Sequence, residues 1–470
     1  MNPLEISSQQ FRRIVEQITA LAADYLDGLD ARRIHPDSSG KASDAIFHTE
    51  LPEQGLGEAA LDGLQDVIKN SRAQNGRFFG YVLGSGEPVA AAADLLASVL
   101  NQNVTAWRSG PAAVAIERTV VGWLAQAIGC GQLTGSLTGG GSSANLMGLA
   151  MAREAKMPAN EGGASAGGVV YASEEVHMSI PKSIALLGIG RANLRLIPTD
   201  ESFQMIPEEL DCAIRRDKEA GRTPIAVVAT AGTVNTGAID PLAEIAAIAH
   251  RHNSWLHVDG AYGALAAIAV PKTFSGLELA DSLSLDPHKW LYQPLDAGCL
   301  LYRDAGAARN AFAHTGEYAR ALTSDPVEGF AFFEESVELS RRFRALKLWL
   351  SLRYHGLAAF REAIQRDLAH AQRLAQQITA HAELELMAPV DLSAVCFRFR
   401  GRNQASDDEL NRLNSEILKR VIERGHVYFS NASLRNRFCL RACVVNHRTT
   451  DADIDSVVAE ALQAALEVAR

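Results

Sequence analysis

Hydrophobic and polar positions follow three successive patterns along this chain. Between Ser8 and Leu29, apolar residues recur three and four positions apart, which predicts an amphipathic helix with one apolar face. Helical patterns return from about Gly57 and again over Pro88–Leu100. Residues 1–85 are too few and too open to bury a core of their own. We therefore predict an N-terminal helical segment, residues 1–85, whose apolar face packs on a second copy of the chain in a homodimer.

The second pattern, from about Thr105 to Arg303, consists of short apolar runs separated by Ala-rich helical stretches. This alternation predicts parallel strands joined by helical crossovers, in which ligands bind at the carboxyl ends of the strands. The predicted strands are Gly168–Ala172, Leu194–Ile197, Ile225–Thr230, Trp255–Asp259 and Ser282–Leu285, with a helix over Pro241–His250 between the third and the fourth. The sequence therefore predicts a large α/β domain over residues 86–365.

The third pattern begins with a long amphipathic stretch between Arg341 and Ala380. Strand candidates follow at Ala394–Arg400 and Phe438–Val445, and a closing helix starts near Ala452. We predict a small C-terminal α+β domain over residues 366–470.

Composition narrows the classes of partner. With 47% hydrophobic and 21% charged residues, the chain has the make-up of a globular protein. Its net charge of -10 disfavours binding to nucleic acid or anionic membranes. The six cysteines show no metal-ligand spacing, so we expect reduced thiols and no metal. Early charged residues and the lack of an apolar run of ~18 residues favour a cytoplasmic protein with a small-molecule substrate.

A glycine-rich turn is the first feature that suggests chemistry. Gly139, Gly140 and Gly141 precede Ser142 and then a helical pattern. The amides of Gly141 and Ser142 would lie at a helix N-terminus, where unpaired N–H groups and the helix dipole favour a phosphate. A plain loop is the alternative, because the run matches no standard nucleotide-binding motif.

Three further side chains lie at or near the ends of predicted strands. His177 could stack on a flat cofactor and guide a substrate carboxylate, or it could be an ordinary loop histidine. Asp259 ends an apolar strand, where a carboxylate needs a cation such as a protonated ring nitrogen; a metal ligand or a helix cap is the alternative. Lys289, between His288 and Trp290, suits covalent amine chemistry, with a structural lysine as the alternative.

Together these features resemble the group II pyridoxal-phosphate (PLP) dependent decarboxylases, the family of aromatic L-amino-acid decarboxylase and histidine decarboxylase. The resemblance spans nearly the whole chain and is carried by Phe11–Arg13, Phe78–Tyr81, Trp107, His177, Asp259, His288–Trp290, Arg341–Lys347 and Leu434–Arg441. It implies the aspartate aminotransferase-like fold (fold type I), with a mostly parallel central sheet. It also implies PLP as cofactor and conversion of an L-amino acid to its amine and CO₂.

The resemblance assigns roles to individual residues. It implies that Lys289 carries PLP covalently, that Asp259 pairs with the pyridine nitrogen, and that His177 stacks on the ring. The other cofactor-binding residues that it implies are Gly141, Ser142 and His288 at the phosphate, with Thr233 and Ala261 beside the ring.

Two positions bear on how the reaction ends and on the phosphate. Tyr318 matches the tyrosine that returns a proton to the substrate carbon in this family, from a loop that reaches the neighbouring subunit's site. Phenylalanine there accompanies aldehyde-forming variants, so Tyr318 favours an amine product; an exposed loop tyrosine is the alternative. Asp286 replaces the asparagine of the aromatic enzymes, and a carboxylate near a phosphate would need screening or another orientation.

The substrate is the least determined part of the prediction. By position, the substrate-binding residues are Tyr81, Val82, Leu83, Asn103 and Thr105, in a pocket that has more aromatic side chains in the aromatic enzymes. Asn103 and Thr105 would select a polar side chain or bind water. We favour an aromatic L-amino acid (tyrosine, DOPA, tryptophan or phenylalanine), with histidine or a small aliphatic or polar amino acid behind it. The alternative activities are an amine-oxidising aldehyde synthase, an aminotransferase, and a catalytically silent homologue.

Overall fold

Two β-sheets organise the chain in the computed structural model, which describes residues 2, 4–36, 38–314, 323, 325–401 and 405–468. The strands are β1 (Phe78–Phe79), β2 (Thr134–Thr138), β3 (Gly168–Ser173), β4 (Leu194–Ile197), β5 (Thr223–Thr230), β6 (Trp255–Asp259), β7 (Ser282–Leu285), β8 (Gly298–Tyr302), β9 (Leu384–Leu386), β10 (Ala394–Phe399), β11 (Tyr428–Leu434) and β12 (Arg437–Cys443).

Helices cover these sheets. In chain order they are α1 (Ser8–Asp27), α2 (Gly40–Phe47), α3 (Leu64–Asn70), α4 (Pro88–Leu100), α5 (Pro111–Ala127), α6 (Gly141–Lys156), α7 (Ser179–Leu186), α8 (Pro207–Glu219), α9 (Leu242–Arg251), α10 (Pro287–Trp290), α11 (Ala305–Phe312), α12 (Ala345–Ala380), α13 (Asp407–Arg424) and α14 (Asp451–Val468). Among the residues described, no helix is both long enough and apolar enough to cross a bilayer.

The large sheet has the strand order β2-β8-β7-β6-β5-β3-β4. Strand β8 runs antiparallel to both of its neighbours, and the other pairs are parallel, so the predicted mostly parallel sheet is confirmed. Both faces are buried: Val227 and Ala229 of β5 pack with α5 and α9, while Ala226 and Val228 pack with α6 and α7. Burial on both faces explains why these strands are continuous apolar runs rather than alternating ones.

The small sheet joins the two ends of the chain. Its order is β1-β11-β12-β10-β9, and Phe78 of β1 pairs in parallel with Tyr428 of β11. The segment 1–85, predicted to be helical, therefore also supplies a strand, which two residues are too short to signal. Helix α12 belongs to both cores, since Ile364 packs in the core of the large sheet and Ala371 in that of the small sheet.

Helix α1 leaves an apolar face uncovered within this chain. It begins with a capping box between Ser7 and Gln10, and none of its residues is buried. Phe11 and Ile18 are 41% and 43% exposed. An amphipathic helix of this kind is stabilised mainly by packing of its apolar face.

A buried ion pair ties the large sheet to the segment before α12. The Arg341 guanidinium donates to the Glu117 carboxylate and, at 2.8 Å each, to the carbonyl oxygens of Val104 and Leu137. Glu117 also accepts the Leu137 amide at 2.9 Å. Both side chains are fully enclosed, so each charge depends on the other for compensation.

Replacing Arg341 by Met would leave the Glu117 charge buried without its cation. We expect Arg341→Met to lower the free energy of unfolding by about 3–5 kcal/mol, measured by urea unfolding. The double variant Glu117→Gln/Arg341→Met should recover part of that loss. Arg373→Met, which removes an exposed ion pair with Asp455, is the control and should unfold close to wild type. Equal effects at the two arginines would contradict a special role for the buried pair.

Candidate active site

A cavity of about 310 Å³ lies at the carboxyl ends of β5, β6 and β7. Thr230 and Asp259, the last residues of β5 and β6, and Asp286, directly after β7, form part of its wall. The predicted site residues that line it are Val82, Gly141, Ser142, His177, Asp259, Ala261, His288 and Lys289. The structure thus brings the four chemical features of the sequence into one place.

The glycine-rich turn forms one end of the cavity. Gly140 has φ +137°, which favours glycine, and α6 begins at the next residue. A Cβ atom at Gly141 would lie 2.6 Å from Ala261 Cβ and 2.9 Å from Asp286 Oδ2, so a side chain has no room there. The first amides bonded within α6 are those of Ser143 and Ala144, which donate to Gly140 O. The amides of Gly141 and Ser142 precede them and can bind an anion.

Lys289 lies on the short helix α10 and pairs with Asp286. Its Nζ is 2.9 Å from Asp286 Oδ2, and His288 Nε2 is 3.6 Å from the same oxygen. Asp286 is 2% exposed, and its Oδ1 has no hydrogen-bond partner within the described chain. Burial lowers the pKa of His288, which favours the neutral ring. The Asp286 carboxylate is therefore oriented towards Lys289 while remaining in contact with the glycine turn.

Asp259 is held by hydrogen-bond donors on both oxygens. Its Oδ2 accepts from Asn145 Nδ2 at 2.8 Å, and its Oδ1 accepts from Ser284 Oγ and the Ala261 amide at 3.2 Å each. These bonds fix the carboxylate at the end of β6, facing the cavity. Asn145 was not singled out by the sequence pattern, where it is only the last polar residue of the glycine-rich run.

His177 faces the cavity from the segment before α7. Its Nδ1 lies 2.8 Å from Ser179 Oγ and accepts the Ser179 amide at 3.2 Å. Burial lowers the pKa of His177, and the nearby Asp259 carboxylate partly offsets that effect. The ring is thus held in place through one nitrogen, while the other nitrogen is left for the cavity.

Thr233 does not line the cavity, contrary to the expectation from the resemblance. Its Oγ1 lies 2.8 Å from Thr236 Oγ1 and accepts the Ala238 amide at 3.2 Å, which closes a turn after β5. The side chain is fully buried in that turn. Gly232 and Val234, on either side of it, line the cavity instead.

Of the predicted substrate-binding residues, only Val82 reaches the cavity wall of this chain. The Tyr81 hydroxyl bonds the Tyr428 hydroxyl at 3.1 Å, and Leu83 packs beside the apolar cluster that contains Tyr428. Asn103 Oδ1 accepts the Arg341 amide at 2.9 Å, and the carbonyl of Thr105 accepts the Phe333 amide. Tyr81 and Leu83 are thus engaged with the small sheet, and Asn103 and Thr105 with backbone groups near Arg341 and Phe333. Tyr318 lies outside the described residues.

The residues around the cavity fit PLP. Lys289 offers a primary amine, and Asp259 offers a carboxylate already oriented by donors. The amides of Gly141 and Ser142 lie at the N-terminus of α6 in the cavity wall, where a phosphate can reach them. These three chemical groups are the ones that a PLP site has to provide.

Comparisons with known proteins agree with this geometry. Residues 46–400 match the family described as the pyridoxal-dependent decarboxylase conserved domain. The chain is 33% identical to the aromatic-L-amino-acid decarboxylase of Bacillus atrophaeus over 471 residues, covering 99% of this chain and 97% of that protein. It is 30% identical to the 4-hydroxyphenylacetaldehyde synthase of Rhodiola rosea, covering 97% and 94%. The crystal structure of Oryza sativa TDC with PLP and tryptamine superposes with a TM-score of 0.91, at 28% identity and 99% coverage of both chains.

The contact of Asp286 with the glycine turn predicts weakened cofactor binding. Replacing Asp286 by Asn removes a negative charge beside the phosphate-binding amides, so we expect PLP to bind on the order of tenfold more tightly. Titration of the cofactor-free protein with PLP, followed by absorbance, measures this.

Asp296→Asn is the matched control. Asp296 also lies near the glycine turn, since a Cβ at Gly139 would be 3.3 Å from its carboxylate. Unlike Asp286, however, it is paired with two arginines, Arg342 and Arg344. Unchanged or weaker PLP binding by Asp286→Asn would show that the Asp286 charge does not act on the phosphate.

Proposed function

The chain belongs to the pyridoxal-dependent decarboxylase family and is a PLP-dependent amino-acid decarboxylase, and we propose that its substrate is an aromatic L-amino acid. The reaction yields the corresponding amine and CO₂. One observation carries the site assignment: Lys289, Asp259, His177 and the Gly141 turn surround one cavity. When bound, PLP supplies the electron sink that accepts the electron pair left on the substrate carbon as CO₂ departs.

The side chains around the cavity have separate tasks in this proposal. Lys289 Nζ is the point of covalent attachment, and the amides of Gly141 and Ser142 bind the phosphate at the N-terminus of α6. Asp259 holds a proton on the ring nitrogen, because a carboxylate stabilises the protonated form of a neighbouring base. His177, in the cavity wall, would lie against the ring and orient the substrate carboxylate. The protein thus contributes orientation and electrostatics.

The charges in the cavity argue for an uncharged substrate side chain. Val82, Val234 and Leu295 supply aliphatic surface, which suits an apolar ring. Among the described lining residues, Lys289 is the one lysine or arginine, and in this proposal cofactor attachment uses it. An acidic side chain would lack a cationic partner and would meet Asp286 or Asp259, an arrangement that costs far more than a poor apolar fit. The name of the Bacillus atrophaeus relative agrees with an aromatic substrate.

The second candidate activity is an aldehyde synthase, which the similarity to the Rhodiola rosea protein supports. We favour the amine product because Tyr318 matches the family's proton-donating tyrosine in the sequence. Its part in the reaction rests on the resemblance alone.

We further propose that the enzyme is a cytoplasmic homodimer with its active site at the subunit interface. The uncovered face of α1 supports the dimer, and Leu96 and Val99 of α4, 52% and 54% exposed, extend the apolar surface. All six cysteines are free thiols, which agrees with a reducing compartment. Light scattering of wild type and of Phe11→Glu/Ile18→Glu tests the dimer, since a monomeric wild type would exclude it.

The decisive experiment measures CO₂ release by the purified protein with PLP from the twenty L-amino acids and L-DOPA. We expect CO₂ and an equal amount of amine from aromatic substrates. Lys289→Ala should abolish both, together with the visible absorbance of the attached cofactor, whereas Lys272→Ala, an exposed lysine, should behave as wild type. Release from glutamate or another acidic amino acid would overturn the substrate proposal. Hydrogen peroxide and ammonia in proportion to CO₂ would identify an aldehyde synthase, and amino transfer without CO₂ an aminotransferase.

A further inference from the structure

A single side-chain amide, that of Asn145, connects the two cavity residues Asp259 and His177. Asn145 Nδ2 donates to Asp259 Oδ2 at 2.8 Å and to Ser179 Oγ at 2.9 Å. Ser179 Oγ lies 2.8 Å from His177 Nδ1. Asn145 is 1% exposed and Ser179 is 3% exposed, so water does not compete for these bonds.

The direction of each hydrogen bond follows from the carboxylate. A carboxylate oxygen can only accept a hydrogen bond, so the Asn145 amide must present its NH₂ group to Asp259 and not its oxygen. The second hydrogen of that NH₂ group goes to Ser179 Oγ. Because Ser179 Oγ already accepts this hydrogen, its own hydroxyl hydrogen is free to be donated to His177 Nδ1.

The backbone amide of Ser179 also requires His177 Nδ1 to be a hydrogen-bond acceptor. It donates to Nδ1 at 3.2 Å, so this nitrogen receives two donors and has no place for a hydrogen of its own. A neutral imidazole carries its hydrogen on the other nitrogen when Nδ1 is an acceptor. Within the described chain Nε2 has no hydrogen-bond partner, and His177 lines the cavity.

The hydrogen bond at the oxygen of the Asn145 amide agrees with this orientation of its NH₂ group. Asn145 Oδ1 lies 2.9 Å from His257 Nε2, so His257 donates there and accepts at Nδ1 from Ser282 Oγ, 2.8 Å away. Ser282 Oγ in turn accepts from Trp255 Nε1, a group that can only donate. Burial lowers the pKa of His257 to about 4, in keeping with a neutral ring. One consistent assignment of hydrogens therefore runs from Trp255 to His177.

Helix α6 is built to fit closely over these bonds. A Cβ atom at Gly148 would lie 2.6 Å from His257 Nδ1 and 3.1 Å from Ser282 Oγ, so only glycine is accommodated. Gly141, Asn145 and Gly148 are four and then three positions apart, which places them on one face of the helix. The same face thus presents the phosphate-binding amides, the Asn145 amide and the space for His257.

We propose that Asn145 and Ser179 are positioning residues that hold His177 as a neutral imidazole with its hydrogen on Nε2, directed into the cavity. In this form His177 donates one hydrogen bond to a bound group and adds no positive charge beside Lys289. The charged groups that face it are Asp259, Asp286, Lys289 and Lys182. Burial lowers the pKa of His177, the two carboxylates oppose that effect and the two lysines add to it. The hydrogen bonds at Nδ1 then select which nitrogen of the neutral ring carries the hydrogen.

The test is ¹⁵N NMR of the full chain labelled with ¹⁵N-histidine, with and without PLP. His177→Gln identifies the His177 signals. In wild type we expect a hydrogen on Nε2 and none on Nδ1 from about pH 6 to about pH 8. Ser179→Ala removes the hydroxyl donor and leaves Asn145 in contact with Asp259 and His257. It leaves the backbone amide of residue 179 as the remaining donor to Nδ1, so we expect a measurable fraction of the ring to carry its hydrogen on Nδ1.

Ser179→Thr keeps a hydroxyl and should restore the wild-type signals. Ser284→Ala removes a donor to Asp259 that does not touch Asn145 or His177, so it should leave the His177 signals unchanged. Asn145→Leu should alter the signals of both His177 and His257, in protein shown to be folded by its thermal unfolding. A wild-type hydrogen on Nδ1, or identical His177 signals in wild type and Ser179→Ala, would overturn the proposal.

The positioning of His177 by Asn145 and Ser179 rests on the proposed function only where its effect on catalysis is concerned. The NMR signals report the ring itself, and they do not depend on which amino acid is decarboxylated. A negative substrate screen with the expected His177 signals would remove the substrate proposal alone. The expected substrates with unchanged Ser179→Ala signals would remove the positioning role alone.

Discussion

The buried carboxylate of Asp259 is the constraint on which the rest of the site depends. A charge at the end of an apolar strand is costly unless donors or a cation surround it, and the chain meets this requirement with Asn145, Ser284 and the Ala261 amide. Each donor comes from a different element: α6, β7, and the turn after β6. Satisfying one carboxylate therefore fixes the relative positions of the elements that hold the cofactor.

The arrangement of donors around Asp259 also requires helix α6 to pack closely against the large sheet. Helix α6 comes so close to its neighbours at two positions that an added Cβ would clash there, which is why glycine stands at 141 and 148, on either side of Asn145. The same approach brings the N-terminus of α6 to the cavity, where its amides can bind a phosphate. The anion-binding end of the helix and the amide that holds Asp259 are thus consequences of one packing contact.

Much of this site could be predicted because chain order alone brings the ends of parallel strands together. Asp259 and Lys289 follow apolar runs that the sequence marks clearly, and their meeting at one edge needs no knowledge of side-chain directions. Thr233, Tyr81 and Leu83 were placed by position in loops. Hydrogen bonds within its turn direct Thr233 away from the cavity, and contacts with Tyr428 of β11 do the same for Tyr81 and Leu83. Strands β2 and β8 were missed because their apolar runs are short and begin with, or are interrupted by, glycine or polar residues. Asn145 gave no signal because a lone polar residue in a helix has no periodic signature.

The carboxylates of Asp259 and Asp286 differ in the kind of group that compensates their charge. Asp259 is held by an amide side chain, a hydroxyl and a backbone N–H, none of which is a reactive amine. Asp286 is compensated mainly by Lys289, the amine that we propose attaches the cofactor, and its Oδ1 has no partner of its own within the described chain. A buried carboxylate loses its compensation when its one cation reacts with another group, whereas a carboxylate held by fixed dipoles keeps it. The electrostatic cost of loading this site therefore falls on Asp286, the position at which the chain departs from the asparagine of the aromatic enzymes.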